Sequence, residues 1–246
     1  MEDKLFSLMN PSTIQSRQDV NPFAKLSDVV KDLIEEAIIK LYIRPGEKIN
    51  VVAIADALKL SRTPVREALN TLVREGLVVV RPNVNGYYAF DINDQYMSDF
   101  FTARATVEVA ATKLCAERFE RVDLSHLKDC CQIFRECYYT KNVDAFVKAD
   151  RDFHNSLVQY TGNQFLIKMY AGLARPMEHY SSISRFYLEQ YGYTAFDNFE
   201  QMISEHIAIY NVVSLGIVDS AGNTAQRHLD TCFSSFLHYY FSKGLR

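Results

Sequence analysis

The sequence predicts a mainly α-helical chain in which a small unit of three helices and a hairpin precedes a larger all-helical bundle. Two observations support this prediction. Apolar residues recur at three- and four-residue steps through most of the 246 residues, which is typical of amphipathic helices. Two short apolar runs, at 77–80 and 87–90, interrupt this pattern and are separated by a turn that contains Pro and Gly, as in a β-hairpin.

Composition excludes several classes of protein. Hydrophobic residues make up 48% of the chain and charged residues 23%, which excludes an intrinsically disordered chain. There is no apolar run of the ~18–20 residues that a membrane-spanning helix needs, and the acidic start lacks the apolar segment of a signal peptide. The five cysteines are odd in number and include no CxxC pair, so we expect reduced thiols and a cytoplasmic location.

Charge is distributed unevenly along the chain. The net charge is −3. Residues 24–90 contain ten basic and eight acidic residues, and residues 91–246 contain 15 basic and 19 acidic residues. A local basic surface is therefore compatible with the near-neutral whole. Together with the change of hydrophobic pattern near residue 90, this predicts three segments: a loosely held N-terminal arm at 1–23, a first domain at 24–90 and a second domain at 91–246.

The first domain is predicted to contain three helices before the hairpin. The second helix spans about 51–58, and the third runs from Ser61 to about Glu75 with Pro64 in its first turn, where a missing amide costs no hydrogen bond. Three helices and a hairpin form a winged helix-turn-helix. The first helix ends before the segment 44–46, and its apolar stripe comprises Leu26, Val29, Val30, Leu33, Ile34, Ala37, Ile38 and Leu41.

The start of the third helix carries the candidate chemistry of this domain. In helix-turn-helix proteins, the N-terminal residues of the recognition helix enter the DNA major groove. Arg62 and Arg66 are four residues apart and share one helix face, where a guanidinium can pair with guanine O6 and N7. Ser61 and Thr63 can donate to phosphate oxygens beside the helix N-terminus. The alternative is that the two arginines belong to an ordinary solvated face.

The first domain closely resembles the DNA-binding domain of the GntR superfamily in three stretches: Arg44–Ile49, Ala55–Leu69 and Glu75–Leu77. The resemblance implies that the two arginines read base edges, that Ser61 and Thr63 contact the DNA backbone, and that Asn85 and Gly86 of the wing enter the minor groove. Val52 stands where the family often carries a polar or basic side chain, and the wing tip lacks the basic residue that many relatives place beside its glycine. We therefore expect fewer phosphate contacts than in those relatives.

The second domain is predicted to contain six helices, at about 94–119, 122–138, 142–161, 163–189, 194–215 and 217–243. Four polar side chains fall within the apolar stripes of these helices and should face inward: Asp150, His154, His206 and His228. Burying an unpaired carboxylate is costly or changes its ionisation. A divalent metal would remove this cost, because carboxylate oxygens and imidazole nitrogens are ligands for Zn, Ni, Mn and Fe.

The alternative for each of these four residues is an ordinary core position with satisfied hydrogen bonds. Sequence periodicity cannot establish that the three helix faces meet, so both interpretations stay open at this point. His126, His179 and His238 show no such convergence, and we expect them to be structural or surface residues.

This domain resembles the FCD ligand-binding domain, the effector module of the FadR subfamily of GntR regulators. Four stretches carry the resemblance: Arg104–Ala111, Asp150–Leu157 with Gly162-Asn163, Glu205-His206, and Ala225–Leu229. With both domains, the similarity spans about residues 24–243. It implies an antiparallel bundle of six or seven helices and a divalent metal, with Zn or Ni favoured, bound by Asp150, His154, His206 and His228.

Arg104 is the further candidate in this domain. It lies in register with apolar residues of its helix, so its guanidinium should also point inward. One interpretation is an internal ion pair with Glu108, four residues on, and the other is a fork that grips a carboxylate. The resemblance implies a small organic acid, such as a hydroxy or sugar acid, that bridges Arg104 and the metal.

Three functional hypotheses follow. The main one is a transcription regulator that binds double-stranded DNA at a palindromic operator as a homodimer and responds to a small organic acid. The second is a metal-dependent enzyme that acts on a small carboxylic acid, although no general base is evident and the first domain stays unexplained. The third is a regulator whose metal is purely structural or is itself the signal. We expect no enzyme activity.

Overall fold

The computed structural model describes residues 2–81, 84–91, 93–191 and 199–242. The chain divides into two compact units, Met1–Ile92 and Asn93–Gly244, and each is built mainly from α-helices. The predicted fold class, a winged helix-turn-helix followed by a helical bundle, is confirmed. None of the helices in the described ranges has the length and apolarity that crossing a membrane requires.

The first unit combines helices with a small antiparallel sheet. The strands lie in the order β1–β3–β2, with Ile49 of the first strand opposite Tyr87 of the third. The two-residue strand β1 did not appear in the sequence prediction. In chain order the elements are α1 (Glu2–Leu8), α2 (Pro11–Val20), α3 (Leu26–Ile39), β1 (Lys48–Ile49), α4 (Val51–Leu58), α5 (Arg62–Arg74), β2 (Val78–Arg81) and β3 (Val84–Ala89).

Helix α3 ends earlier than its predicted stripe, whose last member is Leu41. Leu41 adopts a left-handed φ of 58°, and the amides of Leu41 and Tyr42 donate to the carbonyls of Ile38 and Ala37 at 3.1 and 2.8 Å. This pair of bonds is a Schellman closure. Leu41 therefore stays buried without being helical.

The N-terminal segment differs from the predicted loosely held arm. Helices α1 and α2 pack against α3, and α2 also packs against α4. Met9 and Ile14 are buried in the same apolar core as α3, and Arg17 forms an ion pair with Glu36. Burial of these apolar side chains stabilises the segment, so residues 2–20 are an integral part of the first unit.

The second unit contains seven α-helices in its described residues and is organised around α6. Helix α6 packs against α8, α11 and α12, and α7 packs against α8 and α11. The elements are α6 (Asp94–Glu117), a 3-10 turn (Phe119–Arg121), α7 (Ser125–Thr140), α8 (Val143–Tyr160), α9 (Gln164–Ala171), α10 (Ala174–Tyr191), α11 (Phe199–Ser214) and α12 (Val218–Ser242).

The predicted fourth helix of this unit, at 163–189, is wrong as a single helix because the chain breaks between α9 and α10. Pro176 has no amide to donate to the carbonyl of Gly172, and its ring would crowd that carbonyl in a continuous helix. The break places Pro176 in the first turn of α10, where the missing amide is harmless. The first residues of the predicted fifth helix, 194–198, lie outside the described residues.

Candidate functional site

The start of α5 presents the predicted DNA-contacting side chains to solvent. Ser61, Arg62, Thr63 and Arg66 are all exposed. Ser61 occupies the N-cap position in an extended conformation, but its side chain makes no capping hydrogen bond, so its hydroxyl is available to another acceptor or donor. The opposite face of α5 is buried in the core of the unit through Val65, Ala68, Leu69 and Leu72.

The wing is formed by β2 and β3 and is tied to α5. Asn85 is exposed, and Gly86 is partly exposed with a φ of +138°, a conformation that side chains rarely adopt. The Tyr87 hydroxyl donates to Asn70 Oδ1 of α5 at 2.8 Å. This bond fixes the wing relative to the recognition helix.

Two basic residues that the sequence analysis missed flank the wing. A Cβ atom built on Gly86 would lie 3.0 Å from Cε of Lys48, so the lysine stem crosses the wing directly over the glycine. Arg81 is exposed, and its guanidinium carbon lies 4.5 Å from the centre of the Tyr88 ring. The wing therefore has cationic side chains beside it, although the residues of its tip carry none. Strand β1 places Lys48 next to the wing because Lys48 pairs with Tyr88 of β3.

In the second unit, the four predicted metal ligands come together at the centre of the bundle. One donor atom from each of Asp150, His154, His206 and His228 lies within 4.8 Å of the others. Nε2 of His154 is 3.2 Å from Nε2 of His206 and 3.2 Å from Nε2 of His228. Oδ1 of Asp150 is 3.2 Å from Nε2 of His206. The edge of a zinc tetrahedron between two nitrogens is about 3.3 Å, so these spacings suit one ion.

The outward nitrogen of each of these imidazoles faces an acceptor. Nδ1 of His154 lies 2.8 Å from Oε2 of Glu108, and Nδ1 of His206 donates to the carbonyl of Met202 at 2.8 Å. Nδ1 of His228 lies 3.4 Å from Oε2 of Glu205. Protons on the three Nδ1 atoms would leave the Nε2 lone pairs directed at one another, as binding of a metal requires. Converging lone pairs beside a carboxylate require a positive charge, so the donor set fits a metal cation.

Burial and neighbouring charges keep Asp150, His154 and His228 in a metal-binding protonation state. Burial lowers the pKa of His154 and of His228 below the ordinary value, so both imidazoles are neutral at pH 7. For Asp150, burial works against the charged form, but the adjacent His206 and the positive charge of Arg104 outweigh it and lower the pKa. His154 and His228 thus offer neutral nitrogens beside the ionised oxygen of Asp150.

Arg104 of α6 is fully buried beside this cluster. Its Nε donates to Oε1 of Glu108 at 2.6 Å, so the ion pair considered from the sequence is present. Burial disfavours the charged guanidinium, yet the Glu108 carboxylate outweighs it and raises the pKa of Arg104 further. The two terminal nitrogens of Arg104 have no hydrogen-bond partner among the described residues. They are buried, and the guanidinium carbon lies 5.9 Å from the centre of the Phe101 ring and 5.6 Å from that of Tyr180.

Two further acidic residues and a tyrosine belong to the site, and sequence reasoning assigned none of them to the metal centre. Glu108 accepts from Arg104 and also from the hydroxyl of Tyr170 on α9 at 2.8 Å. Glu205 accepts from Thr231 at 3.0 Å through the oxygen not facing His228. Glu108 could have been found from the sequence, because it lies four residues after the inward-facing Arg104. Tyr170 could not, because its contact with Glu108 depends on how α9 packs against α6.

A small cavity lies against Asp150 between α8, α10 and α11. Its volume is about 20 Å³, room for about one water molecule. Helix α10 supplies half of the lining, which comprises Phe146, Val147, Asp150, Tyr180, Ser181, Ser184, Leu188 and Met202. Arg185 of α10 and Asp144 of α8 form an ion pair of 2.9 Å at the surface.

The other three histidines lie outside the cluster. His126 and His238 are exposed. His179 is buried, and neither of its ring nitrogens has a hydrogen-bond partner among the described residues. Burial, with a contribution from the Arg175 charge, lowers the pKa of His179 to about 4.

Comparisons with known proteins agree with this architecture. Residues 26–86 match the bacterial regulatory proteins of the gntR family, and residues 99–231 match the FCD domain. The Nta operon transcriptional regulator of Aminobacter aminovorans is 34% identical over 132 residues, which are 53% of this chain and 61% of that regulator. The transcriptional regulator LutR of Bacillus subtilis is 24% identical over 83% of this chain and 97% of its own length.

A solved structure has the same fold. The putative GntR transcriptional regulator from Rhodococcus sp. RHA1 superposes with a TM-score of 0.63 at 21% identity, covering 86% of this chain and 97% of that one. The matched families and relatives are regulators of transcription, so the enzyme hypothesis finds no support among them. The chain belongs to the GntR family of bacterial regulatory proteins, in the group with an FCD domain, and is a DNA-binding transcription regulator, not an enzyme.

Proposed function

We propose that this regulator binds a palindromic operator as a homodimer, and that a small organic acid bound at a metal centre in the second unit modulates the binding. One observation carries the proposal: three imidazole Nε2 atoms and a carboxylate converge beside a buried guanidinium whose terminal nitrogens lack a partner among the described residues. Two-fold symmetry of the dimer would match the symmetry of the operator.

The donor set favours particular metals. Three imidazole nitrogens and one carboxylate oxygen suit Zn or Ni best, while Mn and Fe are compatible with the same donors. His154, His206, His228 and Asp150 would hold the ion. When bound, it would supply concentrated positive charge and a position at which an oxygen of a ligand can coordinate.

The formal charges around the cluster favour an anionic ligand. Asp150 and Glu108 contribute two negative charges and Arg104 one positive charge, while Glu205 lies 4.0 Å from Arg227, which balances it. With a divalent ion the centre would carry one excess positive charge, which a carboxylate neutralises. The two unpaired terminal nitrogens of Arg104 match the two oxygens of that carboxylate.

The response to the acid would come from α10. An organic acid of several atoms is larger than the cavity of about 20 Å³ beside Asp150, so its binding would displace α10, which carries half of the lining. The ion pair of Arg185 with Asp144, which holds α10 against α8, would then open or shift. A ligand that binds one position of α10 better than the other shifts the population between them.

For DNA, we propose that Arg62 and Arg66 read base edges in the major groove and that Ser61 and Thr63 contact phosphates. Their exposure at the start of α5 supports this assignment. Asn85 and Gly86 would approach the minor groove. Lys48 and Arg81 would add the phosphate contacts that the wing tip itself cannot make.

The experiment is a fluorescence-anisotropy titration of the zinc-loaded full chain with a duplex that the protein itself selects from a random pool. Titrations with lactate, malate or gluconate should show that one acid changes the DNA affinity and raises the melting temperature. Arg104→Lys keeps the charge but loses the two-pronged geometry, so it should abolish both effects while leaving DNA affinity without acid unchanged. Acid responses equal in the parent and the variant would contradict the proposal.

The small size of the cavity favours a second candidate function, in which the metal itself is the signal. In that case, zinc or nickel alone changes DNA affinity, and none of the acids adds to the effect or to the melting temperature. The same titration, run with metal-stripped and metal-loaded protein, separates the two candidates.

A further inference from the structure

The carboxylate of Glu108 contacts three different elements of the proposed site. Glu108 is 1% exposed, and its Oε1 accepts from Nε of Arg104 at 2.6 Å and from the Tyr170 hydroxyl at 2.8 Å. Its other oxygen, Oε2, lies 2.8 Å from Nδ1 of His154. One carboxylate is therefore shared between a metal ligand, the guanidinium fork and α9.

We propose that Glu108 is a positioning residue that couples the metal centre to the carboxylate-binding position. Engagement of Arg104 by an external carboxylate would strengthen metal binding through His154, and metal binding would strengthen acid binding in return. This inference rests on the proposed function, because it assumes that His154 is a ligand and that Arg104 receives the acid.

On the side of His154, the carboxylate sets the basicity of the ligand. A carboxylate oxygen 2.8 Å from Nδ1 favours the tautomer that carries its proton there and increases electron density at Nε2, the nitrogen that faces the cluster. Outer partners of this kind typically change metal affinity about 10–100-fold. Because the pair is buried, solvent does not replace this contact when it is lost.

The negative charge of the same carboxylate is divided between Arg104, Tyr170 and His154. Each donor to Oε1 withdraws negative charge that Oε2 would otherwise offer to His154. An external carboxylate that takes up part of the Arg104 charge leaves more of the Glu108 charge for His154. By thermodynamic reciprocity, the gain in metal affinity equals the gain in acid affinity when the metal is present.

The test uses three variants of the full chain: Glu108→Gln, Tyr170→Phe and Arg104→Met. Zinc affinity is measured by competition with a chromogenic chelator, and the absorption bands of the cobalt-loaded protein report the coordination geometry. Glu108→Gln should weaken zinc binding about 10–100-fold and change the cobalt bands. Tyr170→Phe removes a competing donor and should tighten zinc binding by up to about fivefold. Arg104→Met removes both a donor and a buried cation and should also tighten it.

If the carboxylate is shared, Glu108→Gln should weaken zinc binding, whereas Tyr170→Phe and Arg104→Met should tighten it. A purely structural role predicts that all three variants weaken zinc binding in proportion to their loss of stability, and this result would overturn the proposal. Unchanged zinc affinity and cobalt bands in Glu108→Gln would do the same. If Glu108→Gln fails to fold, Tyr170→Phe still tests the proposal. An unchanged or weaker zinc affinity of Tyr170→Phe would contradict a carboxylate shared between Tyr170 and His154. A parent that binds zinc but responds to no acid would refute the acid-response proposal and leave the zinc comparison valid.

Discussion

The two units use arginine in opposite ways. Arg62 and Arg66 are exposed on α5, whose opposite face holds the helix in its core. Arg104 is 0% exposed and is held by a carboxylate that also contacts a proposed metal ligand. The contrast teaches that the candidate DNA-reading chemistry can change without affecting the fold, whereas the candidate sensing chemistry is part of the core on which folding depends.

Replacement of Arg104 should have the largest effect on stability. Arg104→Met leaves the buried Glu108 carboxylate without its cation, and breaking a buried pair costs about 3–5 kcal/mol of unfolding free energy. Denaturant unfolding of metal-free protein measures this loss. Zinc should restore part of the stability, because a nearby cation again compensates Glu108. A loss below about 1 kcal/mol, close to that at an ordinary surface site, would contradict the contrast between the units.

Replacement of the exposed pair should act on DNA alone. Arg62→Ala and Arg66→Ala should each weaken binding to the selected duplex by about 1–3 kcal/mol and leave the unfolding free energy within about 0.5 kcal/mol of the parent. Arg74→Ala, at the far end of the same helix, is the matched control and should bind DNA nearly as the parent does. Parent-like affinity in both recognition variants would refute their assignment.

A smaller effect is expected from His179, which is buried outside the metal cluster. Its pKa is lowered to about 4, so the unfolded chain, with a value near 6.5, binds the proton first as the pH falls. Stability should therefore decrease between pH 6.5 and 4, by about 1 kcal/mol between pH 6 and 5. Comparison with His179→Gln in denaturant unfolding isolates this contribution, which should be missing from the variant. An identical pH dependence in both proteins would mean that His179 titrates normally.

The smallest effect is expected for the basic residues beside the wing. Lys48→Ala should weaken binding uniformly across DNA sequences and reduce the slope of log affinity against log salt by about 0.9, the contribution of one phosphate contact. Arg81→Ala should act in the same way. Salt titrations measure both slopes, and a variant with altered sequence preference but an unchanged slope would contradict the assignment to phosphates.

The two units also differ in how much of each could be predicted from the sequence. The recognition helix could be predicted because its apolar stripe determines which face is buried and Pro64 marks its first turn. Lys48 was missed because a two-residue strand has no periodicity, so nothing local indicates that β1 pairs with β3. The N-terminal helices were missed because α2 has a single buried residue, Ile14, and its packing is visible only in three dimensions.

In the second unit, periodicity identified the inward imidazoles but not their partners. His206 and His228 are in register with apolar neighbours, so their direction could be read from spacing. That Nε2 of His154 meets both of them depends on the rotation of α8, α11 and α12, which spacing does not fix. The break before α10 was missed because the apolar pattern continues through it, and Pro176 is equally compatible with a first turn.

The most direct test of the account is the zinc stoichiometry and affinity of the full chain, compared between the parent, His228→Asn and the exposed control His126→Asn. We expect one tightly bound zinc per chain in the parent and in the control. His228→Asn should lose more than about 100-fold in affinity, beyond the effect of an outer partner, with its helical content retained by circular dichroism. A parent that binds no zinc, or a His228→Asn variant that binds it as tightly, would contradict the claim that the buried cluster is a metal centre.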